Sequence, residues 1–389
     1  MDIAAPPPVS ALIPISSGQV RLNKPLPWPV YDAQGTLLLN QGFVVTSSNQ
    51  MQRLLARGMF HTRVTVEEPP TATQPAAASA PAPLINPFAE YGALLEKLEI
   101  VLDLVARQQP NAERQVLGLA RIIDRMCSSD TDACLALIYI YSVQPSAYEQ
   151  TLFHCILCNL LARQLAVDPP RLIALMAASL TANIAVLRHQ DRLNNLRTEL
   201  TREQRAAINR HPELSAQAIR DCGVSNALWI QIIEQHHERG AGHGYPRGLL
   251  EPQIVPEALM LSLAERYTAM ITQRAYRDRF NPTHAMQVLQ EDSRISVGEM
   301  VLARELVRLL TANPPGCFVR LQNNEVAVVT RRHSLGEYPE VWAVTNTSGN
   351  PCLSALLRDT RNEDLRPVEQ VEPLHLEWLN IPALWGYEG

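Results

Sequence analysis

The sequence predicts a mainly α-helical protein, with a small α+β unit ahead of the helices and a small β appendage after them. Three observations carry this. From residue 88 to about residue 312 apolar residues recur at helical spacing. A Pro/Ala/Thr/Ser-rich stretch, residues 67–87, separates that block from residues 1–66. After Pro314-Pro315-Gly316, residues 313–389 turn to short β-branched runs with turn residues between them.

In the N-terminal unit, Leu26 to Leu39 reads as strand, Asp32-Ala33-Gln34-Gly35 turn, strand. Ser48 opens a short helix through Arg57 that Gly58 stops, and Val64-Thr65-Val66 returns as a strand. Alone this unit is too small for much of a core. The linker cannot bury enough apolar surface to offset the entropy of ordering it, and its prolines keep it extended.

The helical block reads as about nine helices. Leu94, Leu95, Leu98, Leu102 and Val105 mark the first. Leu135 to Tyr141 is a buried run, and Leu152 to Leu165 continues the pattern until Pro169-Pro170. Arg171 to Leu187 is almost wholly apolar, so that helix is expected at the centre. Thr201-Arg202-Glu203-Gln204 has capping-box spacing and should open a helix through about Asn209. His211-Pro212 is expected at a helix boundary, because proline disfavours helical geometry in the residue before it. Ser225 should cap the helix carrying Trp229, Ile232 and Ile233, which ends at His236-His237. Pro256 suits the first turn of a helix through Ile271, and Asn281-Pro282 and Ser296-Val297-Gly298-Glu299 open two more. In the appendage, Cys317 to Leu321 and Glu325 to Val329 flank Gln322-Asn323-Asn324 as a hairpin. Val341 to Val344 adds a strand before a polar tail.

The 389 residues leave room for two or three domains, and 46% hydrophobic with 19% charged residues is ordinary for a globular protein. Net charge is −5, and no basic run suggests a nucleic-acid partner; only Arg274, Arg277 and Arg279 gather. Seven scattered cysteines do not form a disulfide framework, and Cys155-Ile156-Leu157-Cys158 lies in an apolar helical run. The chain shows no signal peptide at Met1-Asp2-Ile3 and no apolar run long enough to span a membrane. The cytoplasm is therefore the expected compartment.

Chemistry concentrates in five histidines of the helical block: His154, His211, His236, His237 and His243. Imidazole ligates Fe, Mn, Zn or Ni. Adjacent histidines at a helix end diverge by about 100° and so reach different positions around a metal. The plain alternatives are a core-facing His154, a capping His211, a polar helix end at His236-His237 and a solvent-exposed His243. Gly242, Gly244 and Pro246 could do no more than stop a helix, though three such residues ending in Tyr245-Pro246 exceed that need.

The run His236-His237-Glu238 followed by Gly244-Tyr245-Pro246 resembles the signature of the HD-GYP family, bacterial phosphohydrolases that act on cyclic di-GMP. Across about residues 150–285, His154, His211-Pro212, His236-His237, Glu265 and Arg274-Ala275-Tyr276-Arg277 stand in the family's order. The resemblance implies an HD-type all-helical fold with His154, His211, His236, His237 and Glu265 as metal ligands. It implies phosphate contact by the Arg274 and Arg277 segment, and ligand or partner binding at Gly244, Tyr245 and Pro246.

The chain departs from the family where Leu-His-Asp-Ile-Gly-Lys is expected. Leu180 to Ala185 reads Leu-Thr-Ala-Asn-Ile-Ala, so the His is Thr181, the Asp is Ala182 and the Lys is Ala185. A two-metal hydrolytic site needs a bridging carboxylate, which Ala182 cannot offer. The expectation is therefore a degenerate member with no confident catalytic residue. It would hold at most one divalent transition metal (Fe, Mn or Zn), weakly or not at all, and no second one. Its work would be binding and regulation in cyclic di-GMP signalling, with cyclic di-GMP, a GGDEF-type diguanylate cyclase or another signalling protein as partner. The alternative is a metal-dependent cyclic di-GMP phosphodiesterase with a mononuclear or rearranged site. A homodimer formed through residues 88–130 is a third reading.

Overall fold

A computed structural model describes four N-terminal strands and residues 85–195, 201–275, 277–333, 338–374, 376 and 378–387. The described chain falls into two compact units, residues 1–82 with 386–389 and residues 83–385.

The first unit carries a four-stranded sheet of order β1-β4-β2-β3, made of β1 (Leu12–Pro14), β2 (Val30–Tyr31), β3 (Leu37–Leu39) and β4 (Phe60–Thr62). The β2–β3 pair is the hairpin expected around the Asp32 to Gly35 turn, antiparallel with Val30 opposite Leu39. The returning strand is Phe60–Thr62, which pairs with β1. The expected helix from Ser48 to Arg57 and strand at Val64 to Val66 lie outside the described residues.

Among the described residues the second unit begins with eleven α-helices rather than about nine. They are α1 (Pro87–Ala106), α2 (Ala112–Ser129), α3 (Thr131–Tyr141), α4 (Ala147–Gln164), α5 (Pro169–Thr181), α6 (Leu187–Asn194), α7 (Arg202–Asp221), α8 (Ala227–Gln235), α9 (Pro256–Ile271), α10 (Pro282–Asp292) and α11 (Val297–Leu310). Among the described residues no helix is long and apolar enough to cross a membrane.

Helix α4 is buried on nearly every side, including Phe153, His154, Cys155 and Cys158, and packs against α5 and α9. Helix α8 packs on α5 and α7. The central apolar helix is confirmed, but α5 stops at Thr181 instead of Leu187. Ala182 to Val186 form consecutive turns held by Ile184 N–H to the Thr181 carbonyl and Val186 N–H to the Asn183 carbonyl.

Two helix boundaries differ from the sequence expectation. The Thr201 capping box is present, but α7 runs on to Asp221 with Pro212 inside it. Asn226, not Ser225, caps α8 by accepting from Trp229 N–H at 3.0 Å. The Asn226 side chain, one residue closer to the helix, reaches the free N–H group directly. The openings of α9, α10 and α11 fall at Pro256, Pro282 and Val297 as the caps and prolines require.

The appendage is a five-stranded antiparallel sheet, two strands more than the sequence reading supplied. Its order is β8-β7-β6-β5-β9, from β5 (Phe318–Leu321), β6 (Val326–Arg331), β7 (Glu340–Thr345), β8 (Pro351–Arg358) and β9 (Pro367–Val371). Strands β8 and β9 bury no residue fully and so lack the buried apolar alternation that marks a strand. Val319, Leu321, Ala327, Val329, Val341 and Ala343 form the sheet's core. Arg332 pairs with Asp132 at 2.5 Å, tying β6 to the start of α3. Gly316 has φ +92° and lies so close to the Ala136 backbone that no Cβ would fit there.

Candidate metal centre

Three histidines meet where α7, α8 and the loop after α8 converge. His211, His236 and His237 bring one ring nitrogen each within 4.8 Å of one another. His211 and His236 are buried, and the His237 side chain is 25% exposed.

Proline explains the orientation of His211. Pro212 has no N–H to give the Ile208 carbonyl four residues back. The His211 Nδ1 donates to that carbonyl instead, at 2.6 Å. His236 does the same, its Nδ1 donating to the Ile233 carbonyl at 2.6 Å. With Nδ1 protonated on both neutral rings, both Nε2 atoms carry lone pairs. Those two atoms face each other at 3.1 Å. Two nitrogens on neighbouring positions of a metal with bonds of about 2.0–2.1 Å also stand about 3 Å apart.

Glu265 on α9 closes the other side. Its Oε2 lies 3.7 Å from His237 Nε2 and 3.9 Å from His236 Nε2. Its Oε1 lies 3.6 Å from His154 Nδ1 and accepts from Asn183 Nδ2 at 2.6 Å. His154 Nδ1 is buried and makes no hydrogen bond. A buried imidazole nitrogen without a donor or acceptor partner, two converging lone pairs and a carboxylate form a donor set that fits one divalent metal.

Burial keeps the imidazoles neutral. It takes His154 down to about 3, with the Arg274 charge adding to it, and His211 down to about 4. His236 and His237 are lowered by burial and then by the neighbouring imidazoles. Burial pushes the Glu265 carboxyl up to about 8, against the pull of the Asn183 hydrogen bond. Neutral imidazole is the form that ligates.

The residues that the family resemblance sets against His, Asp and Lys, namely Thr181, Ala182 and Ala185, bring no free donor to the cluster. The Thr181 hydroxyl donates to the Ala177 carbonyl at 2.7 Å and accepts from Trp229 Nε1 at 2.9 Å, which locks a fully buried indole into the core. Ala182 is buried and Ala185 is exposed.

The glycine-rich loop is shaped by Glu238. Its buried carboxylate accepts from Arg247 N–H at 2.7 Å and Leu249 N–H at 2.8 Å. A Cβ at Gly244 would overlap the Glu238 Cα and Arg239 N, so the loop needs glycine there. Tyr245 N–H donates to the His237 carbonyl at 3.1 Å, and the Tyr245 ring stacks on His237 with centroids 4.6 Å apart. Tyr245 precedes Pro246 through a cis peptide bond. His243 is exposed at the loop surface.

Arg274 is buried and donates to Gln150 Oε1 at 3.1 Å. Arg277 donates to the Ala269 carbonyl at 2.8 Å and the Met270 carbonyl at 3.3 Å, and stacks over Phe280. Tyr276 lies outside the described residues. The structure thus brings His154, His211, His236, His237 and Glu265 together, with Tyr245 against them. Arg277 is engaged with the end of α9. The sequence reading missed Asn183, whose signal was a lone amide in an apolar run, and Glu238 as the loop's anchor.

The helical block thus carries a buried cluster of three histidines with a carboxylate beside it. Residues 134–297 match the family model described as HD domain. They form an HD domain, and its His-His-Glu and Gly-Tyr-Pro run is of the HD-GYP type. Among curated proteins, the chain is 29% identical over 202 residues to the cyclic di-GMP phosphodiesterase PA4108 of Pseudomonas aeruginosa, covering 52% of this chain and 48% of that one. It is 24% identical over 174 residues to the cyclic di-GMP phosphodiesterase PdeB of Borreliella burgdorferi, covering 45% of each. The chain spans about half the length of these curated relatives. A solved structure, Bd1817, a HDG"Y"P protein from Bdellovibrio bacteriovorus, overlays with TM-score 0.46 at 15% identity, over 76% of this chain and 99% of that one.

Proposed function

We propose that this chain is a catalytically impaired HD-GYP protein of bacterial cyclic di-GMP signalling, which binds one metal and recognises cyclic di-GMP or a signalling partner without efficient turnover. One observation carries the reading: three histidines gather with the Glu265 carboxylate beside them, while Thr181 and Ala182 stand where the family resemblance expects His-Asp and Thr181 is turned into the core. The likeness to two cyclic di-GMP phosphodiesterases supports the ligand class.

In this reading His211, His236, His237 and Glu265 hold the ion, with His154 behind Glu265. Bound there, the ion would supply Lewis acidity to a phosphate oxygen. Tyr245 keeps the His237 ring in place. The buried Arg274 adds positive charge behind the site for an anionic ligand. Without a carboxylate from Ala182, the bridging oxygen of a two-metal site has no donor. A GGDEF-type cyclase is the partner class proposed for the Gly-Tyr-Pro loop.

A second reading is a mononuclear phosphodiesterase, favoured by the Glu265 carboxylate at 3.7 Å from His237. Elemental analysis of the full chain, with calorimetry and a turnover assay on cyclic di-GMP, separates the two. About one metal per chain, with nucleotide binding and no turnover, supports the scaffold. Turnover that tracks metal content supports the enzyme, and neither binding nor turnover sinks both.

A further inference from the structure

We infer that Asn183 is a positioning residue that turns Glu265 into the oxygen donor of the histidine cluster. The inference rests on the reading that the cluster holds a metal, and it concerns the one polar side chain in the stretch Ala182 to Val186.

The backbone after α5 sets Asn183 in place. Ala182 N–H closes on the Ala178 carbonyl at 2.8 Å, Ile184 N–H on the Thr181 carbonyl at 3.2 Å, and Val186 N–H on the Asn183 carbonyl at 3.0 Å. These successive turns present Asn183 across from α9. Its Nδ2 donates to Glu265 Oε1 at 2.6 Å. A carboxylate is planar, so holding one oxygen fixes where the other points. The free oxygen, Oε2, is the one that faces His237 Nε2 at 3.7 Å and His236 Nε2 at 3.9 Å.

The two oxygens thus have separate tasks. Oε1 is held by the amide beside His154 Nδ1, and Oε2 is turned to the imidazoles. A glutamate has one more torsion to fix than an aspartate, and the amide removes that freedom. The amide is neutral, so it orients the carboxylate without competing with a cation for it. Partners of this kind, bonded to a ligand and not to the metal, tune affinity through orientation. The turn whose Ala182 offers no ligand atom therefore still contributes to the centre, through the next residue. The resulting set, three nitrogens and one oxygen, suits Fe, Mn, Co or Zn.

The test is a double-mutant cycle on the full chain, read as the affinity for cobalt(II) and manganese(II) by titration. Asn183→Leu and Glu265→Gln should each weaken binding about 10- to 100-fold. The pair together should be no weaker than Glu265→Gln alone. The visible spectrum of the cobalt-loaded Asn183→Leu protein should move in the same direction as that of Glu265→Gln. Asn183→Ala serves the same comparison if the leucine variant does not fold. Multiplying losses in the double variant, or unchanged affinity in both Asn183 variants, overturns the role of Asn183 while leaving the metal centre standing. No binding by the unsubstituted protein overturns both.

Discussion

His211 and His236 present bare Nε2 atoms to each other at 3.1 Å because each ring is pinned through Nδ1 to the carbonyl three residues before it. For His211 that carbonyl is free because the next residue is proline. Pro212→Ala supplies an N–H that competes for the Ile208 carbonyl. The melting temperature should rise, since proline in a helix interior costs about 3 kcal/mol. Metal affinity should fall, roughly tenfold, as the ring loses its anchor. Thermal unfolding and metal titration on the same sample check both signs, and unchanged affinity would remove the proline from the account.

The metal-free protein should show a melting temperature that peaks near neutral pH. His211, lowered from 6.5 to about 4, stays neutral in the fold while the unfolded chain protonates, so stability present above pH 6.5 is lost as pH falls toward 4. His154 acts in the same direction, down to about 3. Glu265 has the opposite sign: raised from 4.5 to about 8, its contribution is present below pH 4.5 and is lost as pH rises through 8. Glu265→Gln should flatten the alkaline side and steepen the rise between pH 4.5 and 6.5, where Glu265 opposes the histidines. A scan of unfolding against pH reads this directly.

Gly244→Ala should destabilise the chain by about 2 kcal/mol or more, because its Cβ overlaps backbone that Glu238 holds in place. The Tyr245 ring should leave His237, so metal affinity falls as well. Denaturant unfolding that matches the unsubstituted protein would show that the loop can give way.

Thr181→Val should cost about 1–3 kcal/mol by leaving Trp229 Nε1 buried without an acceptor. Thr181→His with Ala182→Asp should raise metal content while lowering the melting temperature, since the imidazole must displace a locked indole. Metal content that stays flat in the double variant would show that the HD element cannot be rebuilt on this backbone.

Arg277→Ala should lower the melting temperature more than it lowers affinity for cyclic di-GMP. The guanidinium is occupied with the Ala269 and Met270 carbonyls at the end of α9. Calorimetry showing a large loss of nucleotide affinity with unchanged unfolding would reverse that assignment.

Much of the site was legible in the sequence. The His236-His237 pair at the end of α8 and the Gly-Tyr-Pro turn are local patterns, as are the opening at Pro256 and those at Pro282 and Val297, where the Asn281 and Ser296 side chains accept from the N–H three residues on. The extent of α7 was not. The steric bias against helix before proline was outweighed once His211 took the orphaned Ile208 carbonyl and the flanking residues, Ser215 and Ala216 among them, were buried. Strands β8 and β9 were not legible either, because neither buries an alternating apolar face.

By itself the sequence determined the helical class, the order of the histidines and the presence of Thr181 and Ala182 where the family resemblance expects His-Asp. Those are matters of residue identity and spacing. Only the tertiary structure decided which nitrogen each histidine turns inward, that Thr181 serves Trp229, and that Asn183 reaches Glu265 across 82 residues. Each of these depends on hydrogen bonds between groups distant in sequence or on which backbone carbonyl is left without a partner, and neither follows from local pattern.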